Sequence, residues 1–298
     1  MAFNLDHIQL SSGDILMILG PTSVGKTAAS LLLAQRFNAS IISADAFQVY
    51  QGLDIGTAKV DVLQRQQIPH YLIDICKPDE SYDVMMFMRQ TKALLPQLQA
   101  KGPVIICGGT PMYLHAFLYE YQFTEVPEDV VFRHSLLDQV EQKGSQWLYD
   151  QLLQVDPGAS EWVVPTQIRR VIRALEIYHQ TGRPPSESRQ RSEVPRPDVR
   201  VIGLRCERAS LIERIDQRVL EMVGQGFVSE VEGLLAQGVS PDARSFKALG
   251  YPQVLSYIQG SITKEEMVEL IQVKTRQFAK RQMTWYRRFD HVEWYDFS

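Results

Sequence analysis

Short apolar runs alternate with amphipathic helical patterns through the first part of the chain. The apolar runs predict strands at Ile15–Leu19, Ile41–Ser43, Tyr71–Ile75 and Val104–Cys107. The helical patterns predict helices at Thr27–Arg36 and Val84–Gln99. Strands that alternate with helices favour a parallel sheet with helices on both faces.

The pattern changes in the middle of the chain and then returns. Between about Glu125 and Arg191 only helices are predicted, at Val130–Gln142, Gln146–Leu153 and Gln167–Thr181. The last of these is expected to stop at Gly182, ahead of Pro184 and Pro185. Strand character returns at Val199–Leu204, followed by helices at Ala209–Val223 and Lys264–Phe289 and a final strand at His291–Tyr295. We therefore expect an all-helical domain of residues 125–191 inserted into an α/β domain of residues 1–124 and 192–298.

Composition limits the classes of protein that this chain can represent. It has 298 residues, of which 45% are hydrophobic, and a net charge of −4, so any nucleic-acid surface must be local. The three cysteines are far apart and odd in number, which is typical of reduced thiols in a cytoplasmic protein. We find no signal-peptide pattern and no apolar run of membrane-spanning length, so the protein is expected to be cytoplasmic, with no membrane partner.

The sharpest local motif is Gly20-Pro21-Thr22-Ser23-Val24-Gly25-Lys26-Thr27, which matches the phosphate-binding P-loop pattern. It follows a predicted strand and opens a predicted helix, as that pattern requires. The glycines let backbone N–H groups approach phosphate oxygens, Lys26 supplies a positive charge, and Thr27 can hold Mg²⁺ through its hydroxyl. The motif predicts phosphate binding but does not identify the phosphate compound.

Polar residues follow the other predicted strands. Asp45 comes just after the second strand and should face the same crevice as the P-loop, because ligands bind at the carboxyl ends of parallel strands. It can act as a base or hold a metal through water, or alternatively cap the next turn. Asp74 is either a metal-side acid or a strand-end residue. Gly108-Gly109-Thr110 either approaches a ligand or forms a plain turn.

Basic residues are concentrated in two helical stretches. The C-terminal stretch carries Lys274, Arg276, Lys280, Arg281, Arg287 and Arg288, interleaved with Phe278, Trp285 and Tyr286. The predicted inserted domain carries Arg169, Arg170 and Arg173. Each stretch by itself can be a solvated helix face, but together with a phosphate site they favour a polyanionic partner.

Taken together, these motifs resemble the bacterial tRNA isopentenyltransferase (tRNA dimethylallyltransferase) family over nearly the whole chain. The resemblance rests on eight ordered blocks: Gly20–Thr27, Ser43–Tyr50, Leu53–Lys59, Pro69–Asp74, Gly108–Thr110, Arg173–Glu176, Gly250–Tyr251 and Ala279–Trp285. Within the third block, Asp54-Ile-Gly-Thr-Ala-Lys59 is more specific than the P-loop.

The resemblance implies a P-loop NTPase-like α/β fold with an inserted helical domain. It also implies transfer of a dimethylallyl group from dimethylallyl diphosphate to N6 of the adenine 3′-adjacent to the anticodon of tRNA. Asp45 matches the family's general base, and Thr110 and Arg218 match positions around the reacting groups. The donor diphosphate is expected on Gly20–Thr27 with Mg²⁺ at Thr27, the tRNA anticodon stem-loop is the expected partner, and we expect a monomer.

The same resemblance assigns the tRNA contacts. They fall on Asp45, Ala46, Phe47, Gln48, Thr110, Arg133, Arg169, Arg170, Val171, Ile172, Arg173, Lys247, Ala248, Leu249, Gly250, Tyr251, Pro252, Lys280, Arg281, Gln282, Met283, Thr284, Trp285, Tyr286 and Arg287.

Three departures from the family pattern stand out. Ala46 replaces the serine that usually follows the base, so one hydroxyl is missing. Val164-Pro-Thr-Gln167 replaces His-Pro-Asn-Asp ahead of the arginine helix, and Ser23-Val24 replaces Ala-Ser. The alternatives are a P-loop kinase of a small metabolite, a non-catalytic tRNA-binding or nucleotide-switch protein, and an enzyme that prenylates free adenine nucleotides. The Asp54–Lys59 block argues against the first, and the long basic C-terminal part favours tRNA over free nucleotides.

Overall fold

A computed structural model describes residues 5–188 and 191–296 of the protein. Its centre is a parallel six-stranded sheet with the strand order β3-β2-β4-β1-β5-β6. The strands are β1 (Ile15–Leu19), β2 (Ser40–Ser43), β3 (His70–Tyr71), β4 (Val104–Cys107), β5 (Val199–Arg205) and β6 (Glu293–Asp296). The four residues of β2 and of β4 and all five of β1 are buried, as expected for strands covered on both faces.

Helices alternate with the strands along the chain. They are α1 (Lys26–Phe37), α2 (Val62–Gln67), α3 (Val84–Gln99), α4 (Pro111–Leu118), α5 (Val130–Val155), α6 (Ile168–Thr181), α7 (Pro185–Ser188), α8 (Arg208–Gly224), α9 (Phe227–Ala236), α10 (Tyr251–Ile258) and α11 (Lys264–Tyr286). Short 3₁₀ turns lie at Pro157–Glu161 and Arg244–Lys247. The predicted fold class, a parallel sheet flanked by helices, is confirmed.

The strand order determines which loops meet. β2, β4 and β1 are direct neighbours, and Ile15 and Ser40 both pair with Val104. Because the three strands are parallel, their carboxyl ends lie at one edge of the sheet, where open α/β sheets bind ligands. The loops after Leu19, Ser43 and Cys107 therefore surround one crevice.

The chain divides into two compact units. One comprises Met1–Leu118 and Pro195–Ser298 and contains the sheet; the other comprises Tyr119–Val194. The core of the second unit is formed by α5 and α6 with the 3₁₀ turn, through Leu136, Leu148, Leu152, Ala159, Val171 and Leu175. The sequence placed the corresponding division at residues 125 and 191. Residues 1–4, 189–190 and 297–298, which the predicted domains include, lie outside the described residues.

Several predicted elements differ from the observed ones. β3 has only two residues, because Leu72 and Asp74 adopt positive φ angles of 61° and 56° and the chain leaves the sheet. The two helices predicted at Val130–Gln142 and Gln146–Leu153 are parts of α5, which breaks at Gly144 (φ 83°, ψ 164°). No prediction was made for the short helices α2, α4, α7, α9 and α10. Among the described residues, no helix has both the length and the apolar character needed to cross a bilayer.

Candidate active site

The loop between β1 and α1 has the backbone of a phosphate cradle. Gly20, Ser23 and Gly25 have positive φ angles of 145°, 63° and 111°. A side chain at Gly20 is excluded, because its Cβ would lie 2.6 Å from the carbonyl oxygen of Leu204. Ser23 Oγ is buried without a hydrogen-bond partner. The loop therefore directs polar groups and the free N–H groups of the α1 terminus towards a ligand that is not protein.

Lys26 is the first residue of α1, at the end of this loop. Its Nζ donates to the carbonyl oxygen of Pro21 at 2.9 Å. The pKa of Lys26 is lowered to about 8, mainly by burial of the ammonium group and also by the nearby Arg218, against the opposite effects of Cys107 and Asp45. A partly buried cation whose one hydrogen bond among the described residues goes to a neutral carbonyl is poorly solvated, which favours an anion in the loop.

The carboxylate of Asp45 is held by backbone N–H groups at the end of β2. Its Oδ1 accepts from Phe47 at 2.9 Å and Gln48 at 3.3 Å, and its Oδ2 accepts from Gly109 at 3.2 Å. The expected turn cap is therefore present. The same carboxylate also lines the crevice, so capping and a chemical role are compatible in this residue.

The loop after β4 approaches this turn closely, which explains both of its glycines. A Cβ at Gly108 would lie 2.2 Å from the backbone of Ala44, and one at Gly109 would lie 2.6 Å from Asp45 Oδ2. Thr110 follows, and its Oγ1 accepts from the N–H of Ala46 at 2.9 Å. No described residue accepts the hydroxyl proton of Thr110, so that proton can be donated to a ligand in the crevice.

Arg218, on α8, adds a second cation to the crevice. Burial lowers the pKa of its guanidinium, and the charges of Asp45 and Glu221 partly offset that effect. Its guanidinium donates no hydrogen bond to any part of the chain that the structure describes. The neighbouring acid Asp216 is occupied instead by Arg276, which donates to it through Nε at 2.8 Å. Arg218 is therefore free to bind a ligand.

Gln282, on α11, joins two of these loops. Its Oε1 accepts from the N–H of Thr22 at 2.8 Å, and its Nε2 donates to the carbonyl oxygen of Gly109 at 2.7 Å. The side chain is almost fully buried. The sequence placed Gln282 among the tRNA contacts, whereas the structure shows it connecting the phosphate loop to the loop that supports Asp45.

All of these groups line one cavity of about 1660 Å³. It brings together predicted site residues from six segments of the chain: Thr22, Ser23, Gly25, Lys26, Thr27, Asp45, Ala46, Phe47, Gln48, Thr110, Arg218, Lys247, Ala248, Leu249, Arg281 and Gln282. Gly20, Pro21 and Val24 of the phosphate loop are buried and are not among the residues that line the cavity. The lining residues come from widely separated parts of the sequence, from α1 to α11, all within the unit that contains the sheet.

Other predicted tRNA contacts lie on the surface or in the core. Lys280, Thr284, Arg287 and Pro252 are exposed, whereas Met283 and Trp285 are half-buried. Tyr286 is packed in the core, as are Gly250 and Tyr251. The helical period turns these buried positions away from solvent, so a surface contact made by either segment falls to its exposed neighbours.

The predicted contacts on α5 and α6 divide in the same way. Arg169 and Arg170 are exposed, but Val171 and Ile172 belong to the core of the helical unit. Arg133 donates to the carboxylate of Glu176 through Nε at 2.8 Å and Nη2 at 2.7 Å. The predicted contacts on this helix pair thus lie at different depths: Arg169 and Arg170 are exposed, Arg133 is half-buried, and Val171 and Ile172 are buried.

Arg173 completes an ion-pair network around Glu176, whose side chain is 0% exposed. It donates to Glu176 at 2.5 Å and to the carbonyl oxygen of Val126 at 2.9 Å. Burial tends to raise the pKa of Glu176, but hydrogen bonds from Arg133, Arg173 and the Asp129 N–H outweigh it and hold that pKa below its usual value. The two arginines therefore stabilise the helical unit, whatever else they contact.

Asp74, left open between a metal-side and a structural residue, makes two salt bridges. Its oxygens lie 2.5 Å from Lys59 Nζ and 2.5 Å from Arg65 Nη1. Lys59 also contacts Asp54 at 2.7 Å and donates to the carbonyl oxygen of Tyr50 at 2.6 Å. These contacts favour the structural alternative, in which Asp74 fixes the end of the Asp54–Lys59 block.

Sequence reasoning missed one residue close to the site, Glu230 on α9. Its carboxylate accepts from the N–H groups of Asp54 and Ile55 at 2.8 and 2.6 Å, and from Gly56 at 3.2 Å. No motif marked it, because Glu230 lies 174 or more residues from these partners and in a helix that was not predicted.

Comparison with known proteins agrees with this geometry. The family model described as IPP transferase matches residues 48–289. The chain belongs to the IPP transferase family. Among curated relatives of this family, the tRNA dimethylallyltransferase of Carboxydothermus hydrogenoformans is 40% identical over 96% of this chain and 92% of its own length. That of Symbiobacterium thermophilum is 42% identical over 95% of this chain and 89% of its own length.

Solved structures of IPP transferase relatives share the fold. The full-length tRNA isopentenylpyrophosphate transferase from Bacillus halodurans superposes with a TM-score of 0.69 at 37% identity, covering 95% of this chain and 90% of its own. A eukaryotic dimethylallyltransferase acting on tRNA superposes with a TM-score of 0.76 at 28% identity, covering 91% of this chain and 69% of its own. The resemblance found in the sequence is therefore confirmed.

Proposed function

We propose that this protein transfers a dimethylallyl group from dimethylallyl diphosphate to N6 of the adenine 3′-adjacent to the anticodon of tRNA, releasing diphosphate. The observation that carries the proposal is the position of one carboxylate, Asp45, in the same cavity as a phosphate cradle and two partly buried cations, Lys26 and Arg218. The names of the curated relatives support the same activity. We also propose a cytoplasmic location, which a tRNA substrate favours.

The cradle is suited to a diphosphate leaving group. When the allylic C–O bond breaks, negative charge grows on the diphosphate oxygens. Lys26, Arg218 and the N–H groups of the phosphate loop are already positioned around the cavity and stabilise that charge. The Thr110 hydroxyl can donate to an oxygen of the same group.

Mg²⁺ fits the cradle as an ion held mainly by the substrate. Among the described residues there is no group of three or more His, Cys, Asp or Glu that could form a metal site by itself. Thr27 lines the cavity at the start of α1 and offers a hydroxyl oxygen, the kind of ligand that Mg²⁺ prefers. The remaining ligands would be diphosphate oxygens and water, and the ion would add positive charge at the leaving group.

Asp45 is suited to act as the general base. The N6 amine is a weak nucleophile, because its lone pair is delocalised into the ring. As the new C–N bond forms, N6 loses a proton, and Asp45 accepts it. Three backbone N–H groups fix the carboxylate in place, which keeps one carboxylate orientation ready for the amine.

The tRNA contacts are proposed for the exposed cations. Lys280 and Arg287 lie on the surface of α11, and Arg281 lines the cavity mouth on the same helix. Arg169 and Arg170 are exposed on α6 of the helical unit, which we propose as a second tRNA-binding region. Phosphate contacts of this kind position the RNA, while the adenine leaves its stack to reach Asp45.

Labelled dimethylallyl diphosphate, Mg²⁺ and unmodified total tRNA, followed by nuclease digestion and nucleoside analysis, tests the proposal. We expect the label on N6 of one adenosine per substrate tRNA, in the anticodon loop. One parallel reaction replaces tRNA with AMP as the prenyl acceptor. A second contains γ-labelled ATP as the phosphate donor and small alcohols as acceptors. Label only on AMP would assign the protein to free nucleotides, and phosphate transfer from ATP would show a kinase.

A further inference from the structure

Glu230 anchors one wall of the cavity from behind. Three consecutive N–H groups, those of Asp54, Ile55 and Gly56, donate to its two oxygens at 2.6 to 3.2 Å. The hydroxyl of Tyr251 donates to Glu230 Oε1 at 2.7 Å. Four donors converge on one carboxylate, and a cluster of backbone N–H groups of this kind is an anion-binding arrangement.

The segment held in this way forms part of the cavity. Residues 54–59 all line it, whereas Glu230 is not among the lining residues. The backbone at Gly56 is also packed tightly, because a Cβ there would lie 2.3 Å from the ring of Phe227 and 2.5 Å from that of Tyr251. The carboxylate of Glu230 and the ring of Tyr251 therefore fix the wall from behind, while Phe227 packs against Gly56 and also lines the cavity.

The side chain of Gln48 connects the wall to the Asp45 turn. Gln48 Nε2 donates to the carbonyl oxygens of Thr57 and Ala58 at 3.1 and 3.4 Å. The Oε1 of Gln48 accepts from the hydroxyl of Ser43 at 3.1 Å, and its backbone N–H donates to Asp45 Oδ1 at 3.3 Å. A displacement of the wall is thus transmitted to the carboxylate through Gln48.

We propose that Glu230 is a positioning residue for Asp45, acting through the Asp54–Gly56 backbone and Gln48. The inference rests on the proposed function, in which Asp45 is the base. Only a carboxylate supplies two acceptor oxygens to these four donors, since an amide in its place offers one oxygen and turns a donor towards the others. Glu230 touches no reacting atom, so its contribution concerns the rate of the chemical step rather than donor binding.

Steady-state kinetics of the full-length Glu230→Gln variant tests this role. We expect kcat for tRNA prenylation to fall about 10- to 100-fold, the range expected for a misplaced catalytic group. The KM for dimethylallyl diphosphate should stay unchanged, because the phosphate loop makes no contact with Glu230. Glu232→Gln is the matched control, since Glu232 is exposed on the same helix and should leave both constants unchanged. An unchanged kcat for Glu230→Gln would overturn the proposal.

A double-mutant cycle with Gln48→Met shows whether the effect passes through Gln48. If the two residues act in series, kcat of the double variant should equal that of the less active single variant. The two fold-losses then do not multiply. Losses that multiply would contradict the proposed route. Thermal unfolding of each variant is recorded in parallel. A merely structural role would lower the unfolding temperature without a selective fall in kcat at unchanged KM.

Tyr251→Phe keeps the test decisive if Glu230→Gln does not fold. This variant removes one hydrogen-bond donor to Glu230 and leaves the carboxylate in place. It should lower kcat, and in a double-mutant cycle with Gln48→Met the two losses should again not multiply. A normal kcat for this variant would contradict the inference. A wild-type protein with no transfer activity would instead refute the proposed function, so the two failures are distinguishable.

Discussion

The N–H of Thr22 donates to the side-chain oxygen of Gln282 at 2.8 Å, so the phosphate loop and the basic C-terminal helix are directly bonded. The same side chain bonds Gly109, whose N–H in turn donates to Asp45. The buried amide of Gln282 therefore connects α11 both with the phosphate loop and with the loop that supports Asp45. If RNA binds α11 and the donor binds the phosphate loop as proposed, the two sites are joined through this side chain.

Replacement of Gln282 by leucine should weaken diphosphate binding. The change leaves the Thr22 N–H and the Gly109 carbonyl buried without partners, at a cost of about 1–3 kcal/mol for each group. We expect pyrophosphate affinity, measured by calorimetry, to fall about tenfold, which corresponds to the lower end of that range. Gln277→Leu, an exposed change on the same helix, is the control. Normal affinity in the Gln282 variant would show that the bond does not shape the cradle.

Replacement of Asp45 by asparagine should remove the base but keep its turn. The remaining side-chain oxygen can still accept from Phe47 and Gln48, so the backbone after β2 should persist. Single-turnover prenylation should slow by about 10²- to 10⁴-fold, the usual contribution of a positioned base. Binding of tRNA should remain close to that of the wild type. The control is Asp83→Asn, a change at the N-cap of α3, which should leave the rate unchanged. A near-normal rate for Asp45→Asn would reject the base assignment.

Replacement of Lys26 by methionine should separate stability from binding. The pKa of Lys26 is about 8 in the folded protein, below its value of 10.5 in an unfolded chain. Between these values the unfolded chain binds more protons, so this group makes stability rise with pH from about 8 towards 10.5. Below pH 8 both states are charged, and the buried charge lowers stability in full.

Chemical denaturation at two pH values measures this effect. At pH 7 we expect Lys26→Met to raise the free energy of unfolding by about 1–3 kcal/mol, and less at higher pH, while pyrophosphate binding is lost. Lys92→Met, at an exposed position of α3, serves as the comparison. A variant that is less stable than the wild type by the same amount at both pH values would show that the lysine charge is not strained in the free protein.

Surface cations and paired arginines should respond differently to mutation. The Lys280→Ala/Arg287→Ala double variant should bind tRNA more weakly, with the slope of log K against log salt reduced by about 1.4 to 1.8, because each phosphate contact contributes about 0.7 to 0.9. Arg133→Met should instead lower stability by about 1.5–3 kcal/mol, since it removes one of the two arginines that bond the buried Glu176.

Salt titrations of tRNA binding and denaturant unfolding of all three proteins separate these effects. An unchanged salt slope in the Lys280/Arg287 variant would count against α11 as a tRNA surface. A stable Arg133 variant with a reduced slope would restore Arg133 as a phosphate contact.

Much of the fold was predictable because its signals are local. Ile15–Leu19, Val104–Cys107 and Val84–Gln99 have the predicted bounds, since a buried run or an amphipathic stretch specifies its own structure. The strand predicted at Tyr71–Ile75 was wrong beyond Tyr71, because apolar residues there serve a turn with positive φ angles rather than a sheet ladder. Short helices such as Phe227–Ala236 went unpredicted, because few turns give little periodicity.

The sequence by itself determined the phosphate loop, the carboxylate after the second strand and the family, because each depends on residue types at fixed short spacing. Only the tertiary structure decided what joins them. Gln282 meets Thr22 across 260 positions, and Glu230 meets Ile55 across 175. Such partners are brought together by the packing of α9 and α11 against the sheet domain, and no local pattern encodes a hydrogen bond between residues so far apart in the chain.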